Sequence, residues 1–199
     1  MNYLAHFFLS GHNEEILFGN LLEDFMHGRV EHERNNHLST GIKNGIKLHR
    51  RIDTITDSHG LVKVCKNVFQ PEFGRYASIV TDVLFDHFLI KNWEIFSQED
   101  FSAFRQRTYK ALEGYHDLMP EGLDKLVKSM TKHDWLKAYE FDEGLERAFI
   151  GLNSKIKSGP DLLPSIALMH ENFDVINDNF LSFFNILNTY SINYIKSIS

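Results

Sequence analysis

Apolar residues recur along the chain at intervals of three and four, and nowhere do they alternate with polar ones long enough to predict a strand. The pattern predicts an almost entirely helical fold. Residues 2–9 and 14–28 read as two helices separated by "SGHN", in which Asn13 can cap the second ahead of Glu14 and Glu15. The polar stretch at 31–40, "EHERNNHLST", reads as loop, after which Ser39 or Thr40 starts a helix that runs to about residue 57 and is closed by "SHG". Residues 60–69 then form a short helix ended by Pro71, and 74–96 a long one. Further helices are expected near 98–113, 120–131, 134–139 and 142–156, followed by a "KSGP" break and a long helix over 161–194.

Three of these helices carry acids on an apolar face. Laid out at 100° per residue, the helix containing "LHRRIDTITD" places Ile42, His49, Arg50, Asp53 and Asp57 within about 60° of Ile46. Leu48, Ile52 and Ile55 take the opposite side, so the helix reads as apolar nearly all round and therefore buried. In "GNLLEDFMHG", Asp24 and Asn20 share the stripe of Leu17 and Leu21, while in "VTDVLFDHF" Asp86 and His87 flank the seam of Ile79, Val83 and Ile90. His6 interrupts the apolar run Tyr3, Leu4, Phe7, Phe8. A buried carboxylate must be paired, protonated or metal-bound. Oxygen ligands mixed with imidazoles, without thiolates, suit Mn²⁺, Mg²⁺ or Fe²⁺. The alternative, which the spacing favours less, is an ion-pair network of Asp24, Asp53, Asp57 and Asp86 with Arg50, Arg51 and the histidines.

Composition narrows the class. A chain of 199 residues with 43% hydrophobic and 24% charged residues is one globular domain, expected over 1–199, and its apolar runs are too short for a bilayer. The N-terminal "MNYLAHFFLSGHNEE" has neither a basic leader nor a small-residue cleavage site, so the cytoplasm is the expected compartment. The single cysteine, Cys65, excludes an internal disulfide and a thiolate zinc site, and reads as a plain buried thiol. A net charge of −6 argues against nucleic-acid binding. Residues 26–66 nevertheless hold eight Lys and Arg against four Asp and Glu, a basic segment in an acidic chain. Either an acidic partner or a solvated helix face accounts for it.

The segments "MNYLAHFFLS", "GNLLEDFMHGR", "GIKLHRRIDTITDSH" and "VTDVLFDHFLIKNW", in order from Met1 to about Trp93, resemble the successive motifs of the acyl carrier protein phosphodiesterases, with a looser likeness out to "GLNSKIKSG". The resemblance implies an all-helical variant of the HD-domain phosphohydrolase fold. It also implies Mn²⁺-dependent removal of 4′-phosphopantetheine from holo acyl carrier protein. Asp24 matches the aspartate after "GNLL", His49 and Asp53 the "HRRID" element, Asp57 the "TD" that follows, Asp86 and His87 the "DHF" element, and His6 the histidine of "NxLAH". The expected metal ligands are therefore Asp24, His49, Asp86, His6 and His87, with Asp53 or Asp57 as ligand or water-orienting base and Arg50 or Arg51 on a phosphoryl oxygen. Three departures stand out: Glu23 where relatives carry a small residue, Gly60 in place of a proline, and lysines in "NSKIK" where relatives tend to have arginines. The last puts a phosphate contact at Lys155 in doubt. The basic segment around Arg29, Lys43, Lys47 and Arg51 would steer an acidic carrier protein. A nucleotide-directed HD-type phosphohydrolase and a non-catalytic helical metal- or carrier-binding module are the two alternative readings.

Overall fold

The computed structural model describes residues 1–198, and among them every regular element is helical. Helix α1 (Tyr3–Leu9) is followed by α2 (Glu14–Leu22), which Asn13 caps by accepting from Ile16 N–H as the sequence predicts. The second predicted helix ends early. A single 3-10 turn, Glu23–Phe25, replaces its last turn, and the chain then leaves at Gly28, whose φ of +85° an L side chain rarely adopts. Ser39 caps α3 (Thr40–Ser58) through Ile42 N–H.

Helix α4 (Gly60–Phe73) runs on through Pro71 rather than stopping before it. The carbonyl that proline leaves unpaired belongs to Asn67, which is exposed to water, while Phe69 and Phe73, one turn apart, are both buried and hold the last turn against the core. After a 3-10 turn come α5 (Ala77–Lys91) and the short α6 (Trp93–Phe96), where one helix is predicted. Asn92 breaks it, its amide donating to Phe88 O and to Asn177 Oδ1.

Helices α7 (Phe101–Glu113), α8 (Glu121–Lys132), α9 (Trp135–Ala138) and α10 (Asp142–Asn153) follow the predicted order. The predicted C-terminal helix is also two, α11 (Ser165–Glu171) and α12 (Phe173–Ile198), parted at Asn172, whose amide again takes the carbonyl four residues back. In both breaks an asparagine side chain competes with the backbone ladder, a signal absent from hydrophobic spacing.

One continuous core joins these helices. Phe180, Phe183 and Phe184 of α12 are fully buried against Phe85 and Phe88 of α5 and Phe96 of α6, with ring centroids about 5–6 Å apart. Burying each such ring contributes about 2–3 kcal/mol, and Phe180→Ala would cost about 3–5 kcal/mol. The closest helix pair is α2 with α3. A Cβ on Gly19 would lie 2.0 Å from Ile42 O, and one on Gly45 2.2 Å from Ile16 O, so the backbones touch where only glycine fits. That contact sets Asn20 of α2 directly against His49 of α3. No helix is long and apolar enough to cross a membrane.

Candidate active site

His6 on α1 and His49 on α3 stack face to face, with centroids 4.0 Å apart and planes within 10°. Asp53, one turn beyond His49, spans both rings: Oδ1 lies 3.2 Å from His6 Nε2 and Oδ2 lies 3.0 Å from His49 Nε2. Asp24 Oδ1, from the 3-10 turn after α2, approaches His49 Nε2 to 3.6 Å. Both histidines are buried, whereas the Asp53 and Asp24 side chains are 40% and 42% exposed, so the cluster sits at the floor of an opening to solvent.

Asn20 organises this group. Its carbonyl is 2.7 Å from His49 Nδ1, and its side-chain amide donates to His6 O and Ser10 Oγ. With Nδ1–H donated to that carbonyl, His49 turns Nε2 toward the two carboxylates. Burial opposes charge on His49, but Asp53 and Asp24 outweigh it and raise its pKa. His6 goes the other way: burial, and then the neighbouring His49, lower it to about 4, so its imidazole is neutral at neutral pH. Burial works against the charge on Asp53 too, yet its contacts with His49 and His6 hold it ionised well below the usual carboxylate range. Asp24 is raised by burial and by the charges of Asp53 and Glu23.

The residues fit a divalent cation. One ligand atom each from His6, His49 and Asp53 lies within 4.8 Å of the others, and neither ring nitrogen of the buried His6 makes an aligned hydrogen bond. The N···O separations of 3.0 and 3.2 Å match the roughly 3 Å between adjacent ligands on an octahedral ion with bonds of about 2.1 Å. A buried imidazole with both nitrogens unbonded is costly in a purely structural ion pair.

The other residues predicted for the site stand elsewhere. Asp86 is fully buried, and its two oxygens accept Leu4 N–H and Ala5 N–H at 3.0 Å each, capping α1 from α5 instead of joining the cluster. Burial raises its pKa to about 7 against the pull of those two donors. His87 points to the opposite side, its Nδ1 2.8 Å from Tyr139 O. Asp57 is 70% exposed and paired with Lys66 at 3.0 Å, so α3 is not apolar all round: its last turn has a solvent face. Arg50 is held by both oxygens of Glu23 and by Gly28 O, which explains the unexpected Glu23, and Arg51 reaches α12, donating to the Tyr190 hydroxyl and lying over the Tyr194 ring. Lys155 is exposed in the loop after α10. Cys65 is buried as expected, its thiol pushed up to about 12.

Two groups escaped sequence reasoning. Asp82 lines the same opening and is raised by burial, and the Met1 ammonium lies 3.2 Å from Asp82 Oδ1 and 3.5 Å from Asp53 Oδ1. Asp82 sits one turn before Asp86, a spacing that marks it. Beside the cluster opens a cavity of about 210 Å³, reaching His6 and Asp24 and walled by Asn2, Tyr3, Ile79, Val83 and Leu152. A larger groove of about 520 Å³ lies at the far end of α5, between Ile90 and Phe101, and touches none of these groups.

The chain is 30% identical over 181 residues to the acyl carrier protein phosphodiesterase of Photorhabdus laumondii, covering 90% of this chain and 82% of that protein. It is also 30% identical over 185 residues to the one of Serratia proteamaculans, covering 92% and 94%, and 34% identical over 140 residues to that of Yersinia enterocolitica, covering 70% of each. No solved structure matches the chain. The match to the family described as acyl carrier protein phosphodiesterase spans residues 1–187, nearly the whole length and every helix that builds the cluster, and the chain belongs to that family.

Proposed function

We propose that the chain hydrolyses the phosphodiester that joins 4′-phosphopantetheine to holo acyl carrier protein, releasing the apo protein. The observation that carries this reading is the buried, stacked His6–His49 pair bridged by Asp53, at the floor of an opening that reaches solvent. Family membership supplies the substrate class.

His6, His49 and Asp53 would hold a divalent cation, Mn²⁺ first and Mg²⁺ or Fe²⁺ as alternatives, with Asp24 beside them. Such a cation supplies Lewis-acid neutralisation of the phosphoryl oxygens and a water of lowered pKa. Asn20 keeps His49 in the tautomer that presents Nε2, and Asp86 fixes α1 so that His6 meets it. Asp24, the more loosely held carboxylate, takes the proton of the attacking water. The water oxygen bonds to phosphorus, the bond from phosphorus to the serine oxygen of the carrier protein breaks, and that oxygen takes the proton from Asp24 and leaves as the serine hydroxyl.

Within the basic segment Arg29 is exposed and Lys43 part-exposed, whereas Lys47 is paired with Glu31 at 2.6 Å. This surface would draw an acidic carrier protein by long-range attraction, so KM should rise as salt is added, and a KM independent of salt would remove the steering role. The function itself is tested by mass spectrometry of holo acyl carrier protein incubated with the protein and Mn²⁺. Loss of the phosphopantetheine mass is expected; an unaltered holo protein, or turnover only of nucleotides in a parallel panel, would overturn the proposal.

A further inference from the structure

Asn2 stands at the N-cap of α1 and does not cap it. An asparagine there ordinarily accepts from the second or third helical N–H. Here those donors, Leu4 and Ala5, are already satisfied by the Asp86 carboxylate arriving from α5. The Asn2 side chain is released from the cap, and its buried Nδ2 makes no aligned hydrogen bond, although the Tyr139 hydroxyl lies nearby. It lines the 210 Å³ cavity that also takes in His6 and Asp24.

The cavity is mixed in polarity. His6, Asp24 and the paired Met1 ammonium and Asp82 supply its ionisable lining, Ile79, Val83 and Leu152 its apolar lining, and Tyr3 and Asn2 a phenol and an amide. Burial pushes the Tyr3 phenol up to about 12, so it stays a neutral donor. Ile79 is 38% exposed, an apolar side chain left at the rim of a polar opening.

We infer that this cavity is the subsite for the first part of the prosthetic arm, the branched, hydroxylated segment next to the phosphate, with Ile79, Val83 and Leu152 against its geminal methyls and Asn2 Nδ2 donating to its hydroxyl or first carbonyl. The inference rests on the proposed function and deepens it. At about 210 Å³ the cavity is smaller than the roughly 300 Å³ at which whole-ligand sites begin, so it takes that segment and leaves the rest of the arm outside. Specificity for a phosphopantetheine diester then comes from a buried donor that an armless phosphate leaves unpaired, an arrangement that discriminates strongly.

The test is calorimetric binding of two phosphate monoesters to the Mn²⁺-loaded protein: 4′-phosphopantetheine, and ethanolamine phosphate, which lacks the branched segment. The wild-type protein should bind phosphopantetheine at least about tenfold tighter. Asn2→Ala and, separately, Ile79→Asp at the rim should bring the ratio close to one, with Leu152→Ala falling between. A wild-type ratio near one would overturn the subsite, as would variants that weaken both probes equally and preserve the ratio. Release of phosphopantetheine from holo acyl carrier protein by the wild-type protein is read separately, so loss of the arm subsite and loss of the proposed reaction give different results.

Discussion

The two halves of the molecule bury different chemistry. Among the described residues after His87, the buried side chains other than apolar and aromatic ones are those of Thr108, Ser165 and Ser191, whereas up to His87 the interior holds His6, Asn20, Asn35, His49, Asp86 and His87 besides hydroxyls. The later helices pack rings on rings, with Phe180, Phe183 and Phe184 at their centre, a core stabilised mainly by area removed from water. The earlier helices spend interior volume on groups that each need a partner. Buried charge of that kind is weak support for stability and common where a pKa or a ligand must be set. The aromatic half therefore supplies the rigidity that lets α1, α2, α3 and α5 carry a polar centre.

Breaking the polar centre should show as chemistry, not as unfolding. Asp53→Ala removes the carboxylate that spans both imidazoles and should lower turnover of holo acyl carrier protein by about 10³-fold while the helical circular-dichroism signal is kept. Turnover within tenfold of wild type would end the assignment. Asp86→Ala acts differently, since it strips the acceptors from Leu4 and Ala5 N–H in a fully buried place. It should cost about 3 kcal/mol in urea unfolding and lower turnover only through the displaced His6. An Asp86→Ala protein of wild-type stability with no activity would instead make Asp86 a direct participant.

How much of this was legible in the sequence follows from the same contrast. Hydrophobic spacing located the helices because most of them bury one stripe, and it erred where a side chain interfered with the backbone, at Asn92 and Asn172, or where burial on one side rescued a proline, at Pro71. Within the site, the angular layout of α3 singled out His49 and Asp53, since both lie on the buried side. It could not separate them from Asp57, which shares their azimuth but lies one turn further on, past the part of α3 that other helices cover. Asp86 carries the pattern of a ligand and the geometry of a cap: a carboxylate on an apolar face satisfies either, and only the position of α1 decides. The family motifs brought the right residues onto the list without separating those that touch the cluster from those that hold its helices in place.

The interior of the polar half should also leave a signature in pH. Asp86 is raised from 3.8 to about 7, so across that range the folded chain holds a proton that the unfolded chain has released, and this group's contribution to stability fades as pH rises. His6, lowered from 6.5 to about 4, has the opposite sign: the unfolded chain takes up a proton between those values, so stability is lost as pH falls. In the metal-free wild-type protein the two slopes offset each other between about pH 4 and 6.5. Asp24 and Asp82, also raised by burial, share the sign of Asp86, so Asp86→Asn should make the dependence of the urea midpoint on pH more positive than in the wild type across the window. A profile parallel to that of the wild type would mean that Asp86 does not hold its proton.

The smallest effect expected is also the sharpest test of where the polar centre ends. Asp57 is as close to Asp53 along α3 as Asp53 is to His49, and by sequence it belongs to the same motif. In the fold it is a solvent-exposed partner of Lys66, in a geometry where an ion pair contributes at most about 0.5–1 kcal/mol. Asp57→Ala should therefore shift stability by less than about 1 kcal/mol and leave kcat on holo acyl carrier protein within twofold. A drop of the size expected for Asp53→Ala would move the working centre one turn down α3, toward Asp57 and Lys66 and away from the stacked histidines. The Asn2 and Ile79 variants would then lose their effect on arm binding as well, because the cavity they line opens on His6 and Asp24, not on Asp57.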